Sequence, residues 1–132
     1  MANPSPIEPF DIAGFVADRA SFRLRLQAGE KVFLKGDAAD ASMFVVLSGL
    51  IDVIVLGKVL ASVGRGGILG EMAMIDCTHR SAAALAQEDA ELAVLTRRTF
   101  SELIAEEPKL ALAVMGIMRQ RITAFAHLAK RR

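Results

Sequence analysis

Residues 43–67 read MFVVLSGLIDVIVLGKVLASVGRGG. Three apolar segments rich in β-branched residues, MFVVLS (43–48), IDVIVL (51–56) and VLASV (59–63), are separated by Gly49 and by Leu56-Gly57-Lys58. Gly64, Gly66, Gly67 and Gly70 crowd the turn that follows. Short β-type segments punctuated this often by turn residues describe antiparallel strands. Working outward, FRLRLQ (22–27) and KVFLK (31–35), joined at Gly29-Glu30, precede the run, and RSAAALA (80–86) and AELAVL (90–95), joined at Gln87-Glu88-Asp89, follow it. The rhythm is that of a β-roll or sandwich. The apolar stretch from Met43 to Leu56 is broken by Ser48, Gly49 and Asp52 and falls short of the roughly 20 residues of a membrane helix, so no membrane insertion is expected.

The period changes after residue 95. Phe100, Leu103 and Ile104 recur at helical spacing, with Thr96 or Thr99 as the cap. Pro108 then opens a second helix carrying Leu110, Val114, Ile117, Met118, Ile122, Phe125 and Leu128. Arg119, Arg121 and the final Lys130-Arg131-Arg132 are read as its solvated basic end. Residues 11–20 predict a short helix ahead of the first strand, so the chain divides into a lead over 1–20 and a domain over 21–132.

With 132 residues, 53% hydrophobic and 23% charged, the chain holds enough apolar material for one core. Its net charge of +1 does not mark it as a binder of nucleic acid or of an anionic membrane, so any anion site is local. A lone cysteine, Cys77, makes no internal disulfide, and the start MANPSPIEPF lacks the basic and apolar regions of an export signal. A cytoplasmic location is expected. His79 and His127 are too few and too separated to suggest a metal site.

Charged chemistry concentrates in LGEMAMIDCTHRSAA, residues 69–83. Glycines admit backbone N–H groups close to a ligand, and a helical turn starting near Gly70 would point its N–H groups and positive dipole end at an anion. Arg80 adds a permanently charged, bidentate partner for phosphate oxygens. Glu71 conflicts with an anion unless the ligand also carries a hydroxyl. A phosphate and a hydroxyl in one small molecule suggest a ribose phosphate; spaced Glu and Arg residues also occur as plain surface ion pairs.

This stretch resembles the phosphate-binding cassette of the cyclic nucleotide-binding domain family, in which a Gly-Glu pair opens a short helix and an Arg followed by a small residue comes about nine positions later; here the interval is 80 − 71 = 9. GDAADASMFVVLSGLIDV is similar to the family's segment from a Gly-Asp turn through an aromatic-bearing strand to a Ser-Gly turn, through Gly36, Asp37, Asp40, Phe44, Ser48 and Gly49. The resemblance covers residues 22–129. It implies a mainly β fold with flanking helices (α+β): an eight-stranded antiparallel β-roll, or jelly roll, with a short phosphate-binding helix and two C-terminal helices.

It further implies that Glu71 accepts from the ribose 2′-hydroxyl and that Arg80 pairs with the phosphate. Gly70, Met72 and Ala73 then supply backbone contacts, Ser81 a hydroxyl or amide, and Ala82 room beside the ligand; Ile68 and Leu69 supply apolar surface. In the family's bacterial activators a Thr-Ser pair of the last helix touches the base, whereas Phe125 and Ala126 stand here, so Phe125 either caps the base or belongs to core or interface. The expected protein is a cyclic nucleotide sensor, with no metal or resident cofactor, no enzymatic activity and no direct contact with DNA. Its ligand is cyclic AMP, or alternatively cyclic GMP. It signals through the C-terminal helix to a protein partner or a second copy of itself. The alternatives are an excised regulatory domain of a cyclic nucleotide-gated channel or a transcription factor, and a degenerate module used for protein contacts.

Overall fold

A computed structural model describes residues 10–34, 42–70, 80 and 82–130. In chain order these form α1 (Ile12–Val16), β1 (Phe22–Leu26), β2 (Lys31–Phe33), β3 (Ser42–Ser48), β4 (Ile51–Val55), β5 (Lys58–Val63), β6 (Ile68–Leu69), β7 (Ala83–Ala86), β8 (Ala90–Thr96), α2 (Arg97–Glu106) and α3 (Lys109–Lys130). Among the described residues, eight strands make two antiparallel four-stranded sheets, ordered β1-β8-β3-β6 and β2-β7-β4-β5. The roll read from the sequence is therefore observed.

Side-chain alternation along β3 explains why MFVVLS shows no polar face. Phe44 and Val46 point into the space between the sheets, while Met43, Val45 and Leu47 point outward beneath the helices. On β8 the division repeats, with Leu92 and Val94 inward and Ala93 and Leu95 outward. A strand covered on both faces reads as a continuous apolar run. β4 has one covered face and keeps the alternation, with Ile51 and Val53 buried and Asp52 and Ile54 half-buried. The described residues thus form three layers: helices, the β1-β8-β3-β6 sheet, and the β2-β7-β4-β5 sheet.

Two cores result. The inner one includes Leu26, Phe33, Phe44, Ile51, Leu69 and Leu92. The outer one joins Ile12, Ala13 and Val16 of α1 to Met43, Leu95, Leu103, Leu110 and Val114. The helix expected over 11–20 is shorter: α1 is capped by Asp11, whose carboxylate accepts from the Gly14 N–H, and it ends where the Arg19 and Ala20 N–H groups both turn back to the Val16 carbonyl. α1 buries its apolar side in the outer core.

Local chemistry sets the remaining boundaries. Leu56 and Gly57, at φ +54° and +72°, form a two-residue turn between the paired Val55 and Lys58, the hand that suits twisted strands. Thr96, extended at φ −73° and ψ 162°, caps α2 by accepting from the Thr99 N–H at 3.2 Å. α3 starts just beyond Pro108, whose carbonyl accepts from Ala111.

Candidate functional site

Gly66 and Gly67 fold the chain back against β3: the Gly66 N–H donates to the Val46 carbonyl and the Val46 N–H to the Gly67 carbonyl, each at 2.9 Å. That reversal lays β6 beside β3, with Phe44 opposite Leu69 and Val45 opposite Ile68. Alternation then separates the two apolar residues named from the sequence. Leu69 enters the inner core with Phe33 and Phe44, whereas Ile68 enters the outer core with Leu110 and Val114.

Gly70 follows at φ +71°, a left-handed conformation that an L side chain enters at a cost of about 1–2 kcal/mol. A second demand is steric, since a Cβ there would lie 2.5 Å from Nη1 of Arg80. The Arg80 guanidinium occupies that space. Its Nη1 donates to the Gly70 carbonyl at 3.3 Å and its Nη2 to the Ser42 carbonyl at 3.2 Å. Ser42 begins β3 and Gly70 follows β6, so the guanidinium bridges the end of the ladder these strands form. Arg80 is 7% exposed, and its guanidinium carbon lies 4.6 Å from the centre of the Phe33 ring and 5.6 Å from that of Phe44.

An arginine keeps its charge when removed from water, so its solvation must come from neighbouring groups. The two carbonyls and the two aromatic rings are among the groups that stabilise it. The guanidinium is thereby held buried at the rim of the roll. That arrangement is suited to holding a small anion.

Of the residues expected at the site, the structure brings together Gly70, Arg80 and Leu69, with Ala82 packed against the same inner core. Ile68 contributes its carbonyl: Arg121 of α3 donates from Nη2 to it at 2.9 Å. Glu71, Met72, Ala73 and Ser81 lie outside the described residues, as do the expected helical turn and the Gly36, Asp37 and Asp40 landmarks. Phe125 stands 47% exposed on α3 and packs in neither core.

The expectation of a solvated basic end is corrected at Arg121, which is half-buried and bonded to β6. The helical spacing 110, 114, 117, 121 puts it on the stripe that buries Leu110 and Val114, and that spacing is the signal that finds it. The apolar side of α3 is likewise divided. Leu110 and Val114 are buried and Ile117 and Met118 pack against them, while Met115 and Ile122 are 62% and 60% exposed. Phe33 and Ser42 also went unread. Phe33 closes a three-residue strand whose inward position only the sheet pairing reveals.

Residues 23–107 match the family model described as cyclic nucleotide-binding domain. The chain is 34% identical over 99 residues to the cyclic AMP receptor protein of Thermus thermophilus, a match covering 71% of this chain and 45% of that protein. It therefore spans about half the length of that relative, and 7% of the Aspergillus terreus lysophospholipase nte1 that it also matches. Its fold superposes on the catabolite activator protein of Thermus thermophilus with a TM-score of 0.69 and 30% identity, over 83% of this chain and 53% of the other. A structure described with a cyclic-GMP-dependent signalling pathway of bacterial phytopathogenesis superposes with a TM-score of 0.66 and 28% identity, covering 86% of this chain and 90% of the other.

Proposed function

This chain belongs to the cyclic nucleotide-binding domain family, and from that premise we propose that it is a cyclic AMP sensor whose ligand state is read out by α3. The observation that carries the proposal is the buried Arg80 guanidinium, held by carbonyls of Gly70 and Ser42 at the end of the β3–β6 ladder. In this reading Arg80 pairs with the cyclic phosphate, and Glu71, next in sequence after Gly70, accepts from the ribose 2′-hydroxyl. The backbone of Gly70, Met72 and Ala73 and the Ser81 hydroxyl complete the polar lining, with Leu69 and Ala82 as its apolar floor. Cyclic AMP is favoured by the identity to a cyclic AMP receptor protein. Cyclic GMP is the competitor, because Ser81 offers a hydroxyl to guanine and because of the likeness to the protein from a cyclic-GMP-dependent pathway.

Output through α3 is supported by the Arg121 bond to Ile68, which ties the helix to the strand leading into the cassette. Met115, Met118, Ile122 and Phe125 recur at alternating intervals of three and four, the spacing of a two-helix seam. We assign this stripe to a second copy of the chain. Phe125 then belongs to the seam, from which it can also reach a bound base. The module is a cytoplasmic regulator that makes no direct DNA contact; any catalysis belongs to what it regulates.

Calorimetric titration of the purified chain with cyclic AMP and cyclic GMP tests the reading. Micromolar or tighter binding is expected, about 8 kcal/mol or more. Absence of binding to both at millimolar concentration overturns it.

A further inference from the structure

Two phenylalanine rings lie beneath the one buried cation of the described residues. Phe33 ends β2 in one sheet and Phe44 lies in β3 of the other, so their contact, 6.0 Å between ring centres with planes tilted by 39°, spans the interior of the roll. The guanidinium carbon completes a triangle with them, at 4.6 Å from Phe33 and 5.6 Å from Phe44. Both rings are 8% exposed, and Phe33 faces the fully buried Ala84 across the β2–β7 pair, a small neighbour that leaves the ring free to lie under Arg80. β7 begins three residues after Arg80, so pairing with β2 is also what returns the arginine to the Phe33 ring.

We propose that Phe33, assisted by Phe44, is the positioning residue for Arg80: its π face fixes the plane of the guanidinium before ligand arrives and so sets nucleotide affinity. The proposal rests on the reading of Arg80 as the phosphate partner. An arginine side chain has many rotamers, and a ligand that must order one binds more weakly than a ligand that finds it ordered. The two backbone carbonyls fix where the guanidinium nitrogens go, at 3.3 and 3.2 Å, near the long end for such bonds. The Phe33 ring face at 4.6 Å adds a restraint on the tilt of the guanidinium plane. The attraction is electrostatic, between the cation and the negative face of the ring, and is strengthened by removal of water.

That electrostatic origin separates positioning from packing. Replacing Phe33 by mono-, di- and trifluorinated phenylalanine drains the ring face of negative charge while barely changing its shape. Cyclic nucleotide affinity is expected to fall stepwise along the series, about tenfold in total, the factor that roughly 1.4 kcal/mol produces, with the thermal midpoint nearly constant. Phe33→Leu is expected to match the trifluorinated form in affinity and Phe33→Trp the parent. Without ligand, the Arg80 guanidinium N–H resonance, assigned by its loss in Arg80→Lys, is expected to carry a ring-current shift that disappears in Phe33→Leu.

Affinity flat along the fluorinated series overturns the proposal, as does an Arg80 resonance unmoved by Phe33→Leu. A resonance that moves while affinity stays constant overturns it too, since the ring then holds Arg80 without setting binding. If Phe33→Leu does not fold, the fluorinated series decides through affinity and the same resonance. If the parent binds neither nucleotide, the proposed function fails, and the positioning proposal, which requires an affinity to set, fails with it; a ring-current shift that follows fluorination would then show the cation–π contact surviving as structure only.

Discussion

Replacing Gly70 by alanine probes the site directly, because Gly57 provides a matched control. The two glycines have nearly equal left-handed φ values, +71° and +72°. A Cβ on Gly57 would meet nothing within 4 Å, whereas one on Gly70 would lie 2.5 Å from Arg80 Nη1 and 3.4 Å from the Ser42 carbonyl oxygen. Gly57→Ala therefore measures the conformational penalty alone, about 1–2 kcal/mol. Gly70→Ala adds a steric one. Non-bonded heavy atoms settle at about 3.5 Å, so the guanidinium must retreat by about 1 Å. Its bonds at 3.3 and 3.2 Å have no slack for that displacement. Hydrogen bonds to charged groups contribute about 1.5–3 kcal/mol, so Gly70→Ala is expected to lose about 2.5–5 kcal/mol of unfolding free energy in all. Urea titration of both variants reads that difference. Calorimetry is expected to show nucleotide binding weakened about tenfold or more by Gly70→Ala, and unchanged by Gly57→Ala. Equal destabilisation of the two variants, with affinity unchanged in both, would refute the argument that Gly70 is required by Arg80.

Arg121→Met keeps the aliphatic stem against the outer core but removes the donor to the Ile68 carbonyl; a loss of about 1–3 kcal/mol is expected, with faster hydrogen exchange in the second half of α3, read by mass spectrometry. Thr96→Ala deletes the cap of α2 and should cost about 1 kcal/mol in a calorimetric melt. Ile122→Lys and Phe125→Ala change exposed positions, so monomer stability is expected to hold within about 0.5 kcal/mol, while sedimentation shows weaker self-association. Unaltered sedimentation in both would remove the seam from the proposed output.

Much of the roll was legible because its turns are made by residues with narrow uses. Gly49 at φ +86° and the Leu56-Gly57 pair divide β3, β4 and β5 where the sequence breaks its apolar runs. β6 was not legible: two residues set among glycines carry no period, and only pairing with β3 makes them a strand. In the site, Arg80 and Gly70 stood out by motif, and the structure brings them within hydrogen-bond distance. Phe33 did not, since a phenylalanine in a short apolar strand reads as core until the cation above it is seen. Arg121 was hidden by composition, because a basic residue among other basic residues near a helix end suggests solvent, although its spacing from Leu110 and Val114 already placed it on the buried stripe.

The brevity of β6 bears on how a ligand at Arg80 reaches α3. Within three residues the chain offers the Gly70 carbonyl to Arg80 and the Ile68 carbonyl to Arg121, with Leu69 between them anchored in the inner core. β6 pairs with β3 at only two positions, so its end can shift without dismantling a long ladder. A ligand changes the helix only to the extent that it binds the two packings of α3 unequally, and couplings of this kind are typically about 1–3 kcal/mol. One hydrogen bond from a charged donor, at about 1.5–3 kcal/mol, is of the same size. The Arg121–Ile68 bond alone can therefore carry the coupling, without wholesale repacking of the outer core. On this account Arg121→Met leaves nucleotide bound by Arg80 but makes exchange in α3 indifferent to it, whereas a helix that still responds to saturating nucleotide in that variant must be driven through the buried Leu110 and Val114 instead.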